Sequence, residues 1–209
     1  MIIEAGLLDP TPYLQAAGPW ALVLIAAIIL IETGLLFPFL PGDSLIFVAG
    51  LLAPTLGIPL WAVIVVVALA AIIGDSIGYT IGRRIGRRLF TDDARVFKTK
   101  YIDEADRFFQ KYGPQSLVLA RFAPIVRTFV PPAVGAARMH YRTFIVWNAI
   151  GGIAWAVIFA VAGHFLGRIP IIADNVEAFA LVLVVLSLIP IVIGVTKERR
   201  ARRSAAEGE

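Results

Sequence analysis

The chain contains no cysteine, only two histidines and few charged residues. Without cysteine there is no disulfide, no thiol nucleophile and no cysteine-ligated metal. His140 and His164 are far apart in the sequence with no other ligand set beside them, so no metal site or cofactor is predicted. Charged residues make up 16% of the 209 residues, against about 25% in soluble domains. This scarcity of charge argues against a soluble enzyme and against a disordered protein.

Apolar residues dominate the composition instead. They make up 59% of the chain, against about 45–50% in soluble domains, and the mean hydropathy is +0.84. The net charge of +4 and the pI near 9.7 would suit nucleic-acid binding in a soluble protein. In so apolar a chain, the basic residues are more simply explained as anchors at the cytoplasmic face of a membrane. No nucleic acid partner is therefore predicted.

Four apolar stretches predict helices within a membrane. A helix needs about 20 residues to cross the hydrocarbon of a bilayer. With their flanks, three of the stretches reach this length, at roughly 60–82, 145–167 and 177–196. The first stretch, 20–31, is shorter. Residues 1–19 carry two acids and no Lys or Arg, so they lack the basic start of a signal peptide, and we expect the first stretch to be retained.

The distribution of basic residues predicts the orientation. Of the 19 Lys and Arg residues, all but three lie within residues 83–111, 138–142 and 197–203. The positive-inside rule places these regions in the cytoplasm. The C-terminal tail, 197–209, is therefore predicted to be cytoplasmic and the acidic N-terminal segment, 1–19, to lie outside.

Two apolar segments cannot be simple spans. Residues 116–137 begin and end on the cytoplasmic side and are too short for two crossings, and residues 20–59 must likewise begin and end outside. Both segments are interrupted by proline, glycine and charged residues. Broken backbone at membrane depth is tolerated only inside protein or beside a water-filled cavity. We therefore predict two re-entrant hairpins that enter from opposite sides and face each other in the core.

A repeated motif favours an all-α polytopic membrane protein built as an inverted repeat. Residues 78–83 read Gly-Tyr-x-x-Gly-Arg and residues 163–168 read Gly-His-x-x-Gly-Arg, each at the end of an apolar stretch. The two copies, about 20–83 and 116–168, would cross the membrane in opposite directions, as in secondary transporters. Chance recurrence of glycine in membrane helices is the alternative.

The segment between the two copies has a different character. Over residues 99–112, aromatic side chains fall on one helical face and charged side chains fall elsewhere. This pattern predicts an amphipathic helix on the cytoplasmic surface, with a partner-binding helix as the alternative. Residues 20–196 would then form one membrane domain, for which a homo-oligomer is compatible with the sequence.

Charged residues inside the predicted hairpins are the main functional clue. Glu32 and Asp43 lie in the first hairpin, and Arg121 and Arg127 lie in the second. Each would cost about 3 kcal/mol if isolated near the bilayer centre, so opposed hairpins should bring acids and arginines together. The alternative interpretation is an ion-pair network with a purely structural role. It does not explain why costly residues lie at helix breaks.

The residue types suggest separate roles in transport. Arginine presents a planar fork that suits phosphate, and a helix break at Pro124 would let Arg121 and Arg127 hold one phosphate headgroup. Carboxyl groups removed from water can exchange protons near neutral pH, so Glu32 and Asp43 are candidate proton-coupling groups. Six further residues are expected to support the site. These are Pro41 and Gly42 at the first helix break, Asp75, Tyr79 one turn after it, Pro124 at the second helix break, and Asn148 beside the second hairpin.

These motifs resemble the DedA family. The resemblance rests on Glu32 with Pro38-x-x-Pro41-Gly42-Asp43, on Gly74-Asp75-x-x-Gly78-Tyr79-x-x-Gly82-Arg83, and on Arg121-Phe122-x-Pro124-x-x-Arg127 followed by Asn148, Gly151 and Trp155. It covers roughly residues 20–195. The family comprises small bacterial inner-membrane proteins related to eukaryotic VTT-domain lipid scramblases. Where many members have Glu after Pro-Gly, this chain has the shorter Asp43.

The resemblance implies a fold, a location and an activity. It implies two opposed re-entrant hairpins in a multi-pass protein of the bacterial inner membrane. It implies that Glu32, Asp43, Arg121 and Arg127 are needed for function. It also implies lipid translocation, with undecaprenyl phosphate or phosphatidylethanolamine as substrates.

Three functions remain open from the sequence. The leading hypothesis is a flippase for a phosphate-bearing lipid such as undecaprenyl phosphate, driven by protons, with phosphatidylethanolamine as another lipid substrate. The second is a proton-coupled antiporter of small ions, and the third is a scaffold that transports nothing. An intramembrane enzyme is least supported, because the sequence has neither Gly-x-Ser-x-Gly nor His-Glu-x-x-His.

Overall fold

The computed structural model describes residues 11–34, 42–85, 109, 112–122 and 124–169. Several predictions fall wholly or largely outside these residues: the N-terminal segment 1–10, Pro41, the amphipathic helix over 99–112, the last span at 177–196 and the tail 197–209. Every regular element within the described residues is helical. This agrees with the predicted all-α class.

The helices are numbered here in chain order through the described part of the chain. They are α1 (Thr11–Ala17), α2 (Ala21–Gly34), α3 (Gly42–Leu52), α4 (Leu60–Ile85), α5 (Ser116–Ala120), α6 (Pro124–Ala136) and α7 (Tyr141–Leu166). A 3-10 turn, Gly18–Trp20, joins α1 to α2. Both α4 and α7 have 26 residues and are long and apolar enough to cross a membrane. They coincide with two of the three predicted spans.

The break between α5 and α6 follows from local sequence. Arg121 and Phe122 form a turn after α5, and α6 begins at Pro124, a residue favoured at the first position of a helix because its missing N–H has no helical partner there. Further along α6, Pro131 and Pro132 lie inside the helix and each removes a main-chain hydrogen bond. The interrupted helix that the sequence indicated is thus present, with its break at Arg121.

The two long helices organise the packing. Helix α4 packs against α2, α6 and α7, and α7 packs against α3, α4 and α5. Each long helix therefore carries a short helix from the other half of the described chain, with α6 on α4 and α3 on α7. This crossed arrangement brings the charged ends of α2, α3 and α6 to the middle of the molecule.

Two contacts of the same form hold the crossed helices together. In the first, a Cβ on Gly82 would overlap the Pro132 carbonyl, and one on Gly135 would overlap the Tyr79 carbonyl. In the second, a Cβ on Gly163 would overlap the Phe47 carbonyl, and one on Gly50 would overlap the Ala160 carbonyl. On every helix the carbonyl precedes the glycine by three residues. The backbones approach so closely that only glycine fits at these four positions.

The apolar side chains divide into a core and an outer surface. The main core includes Ile25 and Ile29 of α2, Ile46 and Val48 of α3, and Val67 of α4. The outward faces of α4 and α7 are also apolar, with large exposed side chains at Val65, Leu69, Ile73, Val146, Ile150, Ile153 and Ile158. Helices that are apolar on their outer face as well as their inner face are typical of proteins that lie in lipid.

Candidate functional site

The first buried centre joins three helices through Arg127. One guanidinium nitrogen, Nη2, donates to Oε1 of Glu32, and the other, Nη1, donates to Oδ1 of Asp43 at 2.5 Å. The side chains of Arg127, Glu32 and Asp43 are 7%, 1% and 10% exposed. Glu32 lies near the end of α2, Asp43 in the first turn of α3 and Arg127 in the first turn of α6. One arginine therefore holds both acids that the sequence singled out.

Gly42 makes this arrangement possible. It is the first residue of α3, and a Cβ at this position would overlap the Glu32 carboxylate. Glycine thus lets the carboxylate lie directly against the start of α3. The positive end of the helix dipole there favours negative charge, both for Glu32 and for Asp43 in the first turn.

The second buried centre is formed by Arg121. Its Nη2 donates to Oδ2 of Asp75 and to Oδ1 of Asn148, the latter at 2.7 Å. Asp75 lies in α4 and Asn148 in α7, and both are buried. Gly151 and Gly152 lie against the arginine side chain, since a Cβ on Gly151 would be 3.5 Å from Cδ and a Cβ on Gly152 would be 3.4 Å from Nη2. Asp75 is therefore a direct partner of an arginine, a closer role than the supporting position that the sequence indicated.

Trp155 connects the two centres. Its Nε1 donates to Oδ1 of Asp43 at 2.8 Å. The guanidinium carbons of Arg127 and Arg121 lie 5.0 and 5.9 Å from the centroid of its ring, within the range of cation–π attraction. The ring is 1% exposed. Both arginines thus lie against one indole, although they bind different carboxylates.

From the sequence, Trp155 was named only as part of the DedA-like motif and was given no role in the site. A usable signal was present, because Asn148, Gly152 and Trp155 are four and three residues apart and therefore share a face of α7. A polar residue, a small residue and an aromatic donor on one face of an apolar helix indicate a buried polar site.

Tyr79 lies away from both centres. Its hydroxyl donates to the Met139 carbonyl and accepts from Nη1 of Arg83 at 2.8 Å. Arg83 also donates to the Met139 carbonyl at 3.2 Å, and the Tyr79 ring stacks on Phe144 with centroids 4.6 Å apart. Tyr79 therefore ties α4 to the connection between α6 and α7. The hydrogen bonds of its hydroxyl group go to neither buried centre.

The charges of the two centres do not balance. With every group ionised, the three carboxylates of Glu32, Asp43 and Asp75 and the two guanidiniums of Arg121 and Arg127 leave one negative charge in excess. All five residues are buried. Uncompensated charge inside a membrane protein is costly and marks functional sites. A proton or another cation would remove the excess.

Four buried polar atoms at or beside the centres have no hydrogen-bond partner among the described residues. They are Oε2 of Glu32, Nε of Arg127, Nδ2 of Asn148 and Oγ of Ser44. Most buried polar groups in proteins are paired, and exceptions often belong to working sites. No group of three or more His, Cys, Asp or Glu side chains within the same residues could hold a metal ion.

Comparisons with known proteins agree with this architecture. The VTT domain profile matches residues 40–165. Protein DedA of Escherichia coli is 41% identical over 194 residues, covering 91% of this chain and 89% of that protein. An uncharacterized membrane protein of Mycobacterium tuberculosis, MT0380, is 42% identical over 209 residues, covering 97% and 92%.

A more distant relative is named as an inner membrane protein. Inner membrane protein YqjA of Escherichia coli is 28% identical over 175 residues, covering 82% of this chain and 79% of that protein. No solved structure gave a significant match. The domain match, together with the identity to DedA over most of both chains, shows that this chain belongs to the DedA family of VTT-domain membrane proteins.

Proposed function

We propose that this protein carries phosphate-bearing lipids, with undecaprenyl phosphate the leading candidate, across the bacterial inner membrane and that protons drive the movement. The observation that carries the proposal is the buried charge network, in which two arginines share an indole and bind three carboxylates. A phosphate headgroup needs the planar donors that arginine supplies. The membrane location is supported by the family and by the inner-membrane relative.

In this proposal the carboxylates compete with the lipid phosphate for Arg127. Both guanidinium nitrogens that face Glu32 and Asp43 are engaged by these acids. When one acid takes up a proton, it loses its negative charge and its attraction to the arginine falls. Arg127 can then donate to a phosphate oxygen. Proton uptake at Glu32 or Asp43 would thereby be linked to lipid binding.

The excess negative charge gives the direction of this linkage. Without substrate, the network would bind one cation to reach neutrality, and a proton is the cation that fits a carboxyl oxygen such as Oε2 of Glu32. An arriving phosphate brings negative charge and therefore favours a further proton. Arg121 and Trp155 would lie beside the headgroup as it passes.

A fold with two opposed re-entrant hairpins and an inverted repeat belongs to the same proposal. The crossed contacts support the inverted repeat. Phe47 and Gly50 of α3 contact α7 in the same way that Pro132 and Gly135 of α6 contact α4. On the long helices, the contacts make Gly163 of α7 equivalent to Gly82 of α4. The sequence motif instead aligns Gly163 with Gly78, which lies one turn before Gly82. The proposed orientation has the C-terminal tail in the cytoplasm, as the basic residues favour.

Transport in proteoliposomes tests the proposal. Undecaprenyl phosphate and phosphatidylethanolamine would be assayed side by side, with and without an imposed pH gradient. We expect gradient-dependent movement of undecaprenyl phosphate, with at least a tenfold loss in Arg127→Lys, because lysine lacks the planar fork. The matched control is Arg142→Lys, at an exposed arginine on α7.

The alternatives give different results in the same assay. Movement of phosphatidylethanolamine alone would mean that the substrate is a zwitterionic phospholipid and not undecaprenyl phosphate. Proton flux without movement of either lipid would favour an ion antiporter. Full transport by Arg127→Lys or by Glu32→Gln would contradict the proposed mechanism.

A further inference from the structure

The second half of α4 carries a repeating pattern that the buried charge network does not use. From residue 76 the sequence places a polar residue followed by isoleucine at every fourth position, as Ser76-Ile77, Thr80-Ile81 and Arg84-Ile85. Residues four apart are neighbours on one face of a helix. The pattern therefore makes two parallel rows along α4, one polar and one of isoleucine.

These rows form one wall of a groove on the outside of the protein. Tyr141 and Ile145 of α7 form the other wall, and the groove encloses about 590 Å³ and is open to its surroundings. Ile72 and Ile73 lie at its inner end, and Arg84 and Ile85 lie at its outer end. A groove with a mostly aliphatic lining and one basic end has the shape and polarity of a lipid site.

The hydroxyl groups in the groove suit an apolar environment. Ser76 donates to the Ile72 carbonyl and Thr80 donates to the Ser76 carbonyl, both at 2.7 Å. These donors are satisfied within the helix and need no water. The Tyr141 hydroxyl makes only a long contact of 3.3 Å to Oγ of Ser76, so its hydrogen can turn to another acceptor. An ester carbonyl is such an acceptor.

The two arginines at the end of α4 differ in their contacts. Arg83 is bound to the Tyr79 hydroxyl and the Met139 carbonyl. Arg84 lines the groove, is exposed, and has no hydrogen bond or ion pair with any described residue. An exposed guanidinium at the end of an apolar groove can take an anionic headgroup.

The length of the groove matches one leaflet of a bilayer. From Ile72 to Ile85 the helix rises about 20 Å, and one leaflet contributes about 15 Å of hydrocarbon. The inner end also approaches the second buried centre. The position of a Cβ on Gly152 would be 3.3 Å from the Ile72 side chain and 3.4 Å from Nη2 of Arg121.

We propose that this groove binds one anionic, phosphate-bearing membrane lipid, with its phosphate at Arg84 and its chain along the isoleucine row. The Tyr141 hydroxyl, between these two ends, would meet the ester region of a glycerolipid. This inference deepens the proposed function, because it gives the lipid a binding position in one leaflet, with its headgroup at Arg84 and the end of its chain toward the second buried centre. Binding in the groove does not itself require transport, so the two proposals can fail separately.

The absence of cysteine makes the groove accessible to a single probe. Ile77→Cys places a fluorophore in the groove, and Ile158→Cys places the same fluorophore on an exposed part of α7 as the matched control. The full chain would be reconstituted in phosphatidylcholine containing a minor fraction of brominated lipid, either phosphatidylglycerol or phosphatidylcholine. Bromine on the acyl chain quenches fluorescence on contact.

We expect quenching at residue 77 to favour brominated phosphatidylglycerol over brominated phosphatidylcholine by about fivefold, the preference that one basic side chain near a membrane surface confers. Residue 158 should show no such preference. Arg84→Gln should abolish the preference and Arg84→Lys should retain most of it. Arg168→Gln, at an exposed arginine bonded to His164, should leave it unchanged.

Three results would overturn the inference. Equal quenching by both lipids at residue 77 would mean that only ordinary boundary lipid lies there. Protection from both quenchers would mean that protein covers the groove, and disulfide-linked dimers of the unlabelled Ile77→Cys variant would identify a second copy as the occupant. A preference that persists in Arg84→Gln would remove the assigned role of the arginine. If the unmutated protein prefers brominated phosphatidylglycerol at residue 77 but moves no lipid in the transport assay, the result would count against the proposed function alone.

Discussion

Replacement of Arg127 by glutamine should destabilise the protein more than any other single change in the charge network. The variant leaves the carboxylates of Glu32 and Asp43 buried together without their shared partner. Removing one member of a buried ion pair costs about 3–5 kcal/mol. The upper half of that range is expected here, because two like charges remain at one site.

A compensated variant separates stability from function. Combining Arg127→Gln with Glu32→Gln and Asp43→Asn removes all three charges and keeps side chains of similar volume. Buried ion pairs replaced as a unit are often neutral in stability or stabilising. We therefore expect the triple variant to recover most of the lost free energy of unfolding and yet to show no lipid transport.

The two quantities can be measured on the same preparations. Unfolding in mixed micelles titrated with a denaturing detergent gives the free energy of unfolding, and reconstituted vesicles give transport. Arg142→Gln is the control, since an exposed charge contributes only about 0–1 kcal/mol. Wild-type stability in the single variant would refute the reasoning on the ion pairs. Wild-type transport in the triple variant would show that the charge network has only a structural role.

Three further predictions concern the packing around the site. Trp155→Phe keeps an aromatic ring but loses the bond to a carboxylate, so the free energy of unfolding should fall by about 2 kcal/mol, measured in the same titration, and transport should fall with it. Gly82→Ala should destabilise the protein strongly, because the new Cβ would overlap a main-chain carbonyl. Gly78→Ala should be tolerated, because the nearest atoms to its Cβ would be 3.6 Å away. Equal thermal stability of the two variants would contradict this prediction. Tyr79→Phe should cost about 1 kcal/mol, since it loses hydrogen bonds but keeps its aromatic stacking, and no change in the unfolding midpoint would argue against the observed link.

The sequence predicted the long helices well because their signal is local. Apolar runs of sufficient length specify α4 and α7, and proline specifies the start of α6. Intramembrane charge likewise identified four members of the buried network. Each of these inferences needs only the residue type and its neighbours along the chain.

The pairing within the network could not be predicted in the same way. Arg121 binds Asp75, 46 positions away, and Arg127 binds Glu32, 95 positions away. Which acid meets which arginine depends on the crossed packing of α3 on α7 and of α6 on α4. That packing depends on glycines whose effect is visible only when the opposing carbonyl is known.

Both buried centres depend on one short segment of the chain. Arg121 directly follows α5 and Arg127 lies in the first turn of α6, so residues 116–136 carry every positive charge of the network, while the acids lie on α2, α3 and α4. A movement of this segment would therefore alter both sets of ion pairs at once. The guanidiniums of both arginines also lie against the Trp155 ring, so the two centres are close enough for a proton taken up at one to change the field at the other. The proposed coupling between proton and headgroup would then need no long pathway, since a single segment carries both arginines.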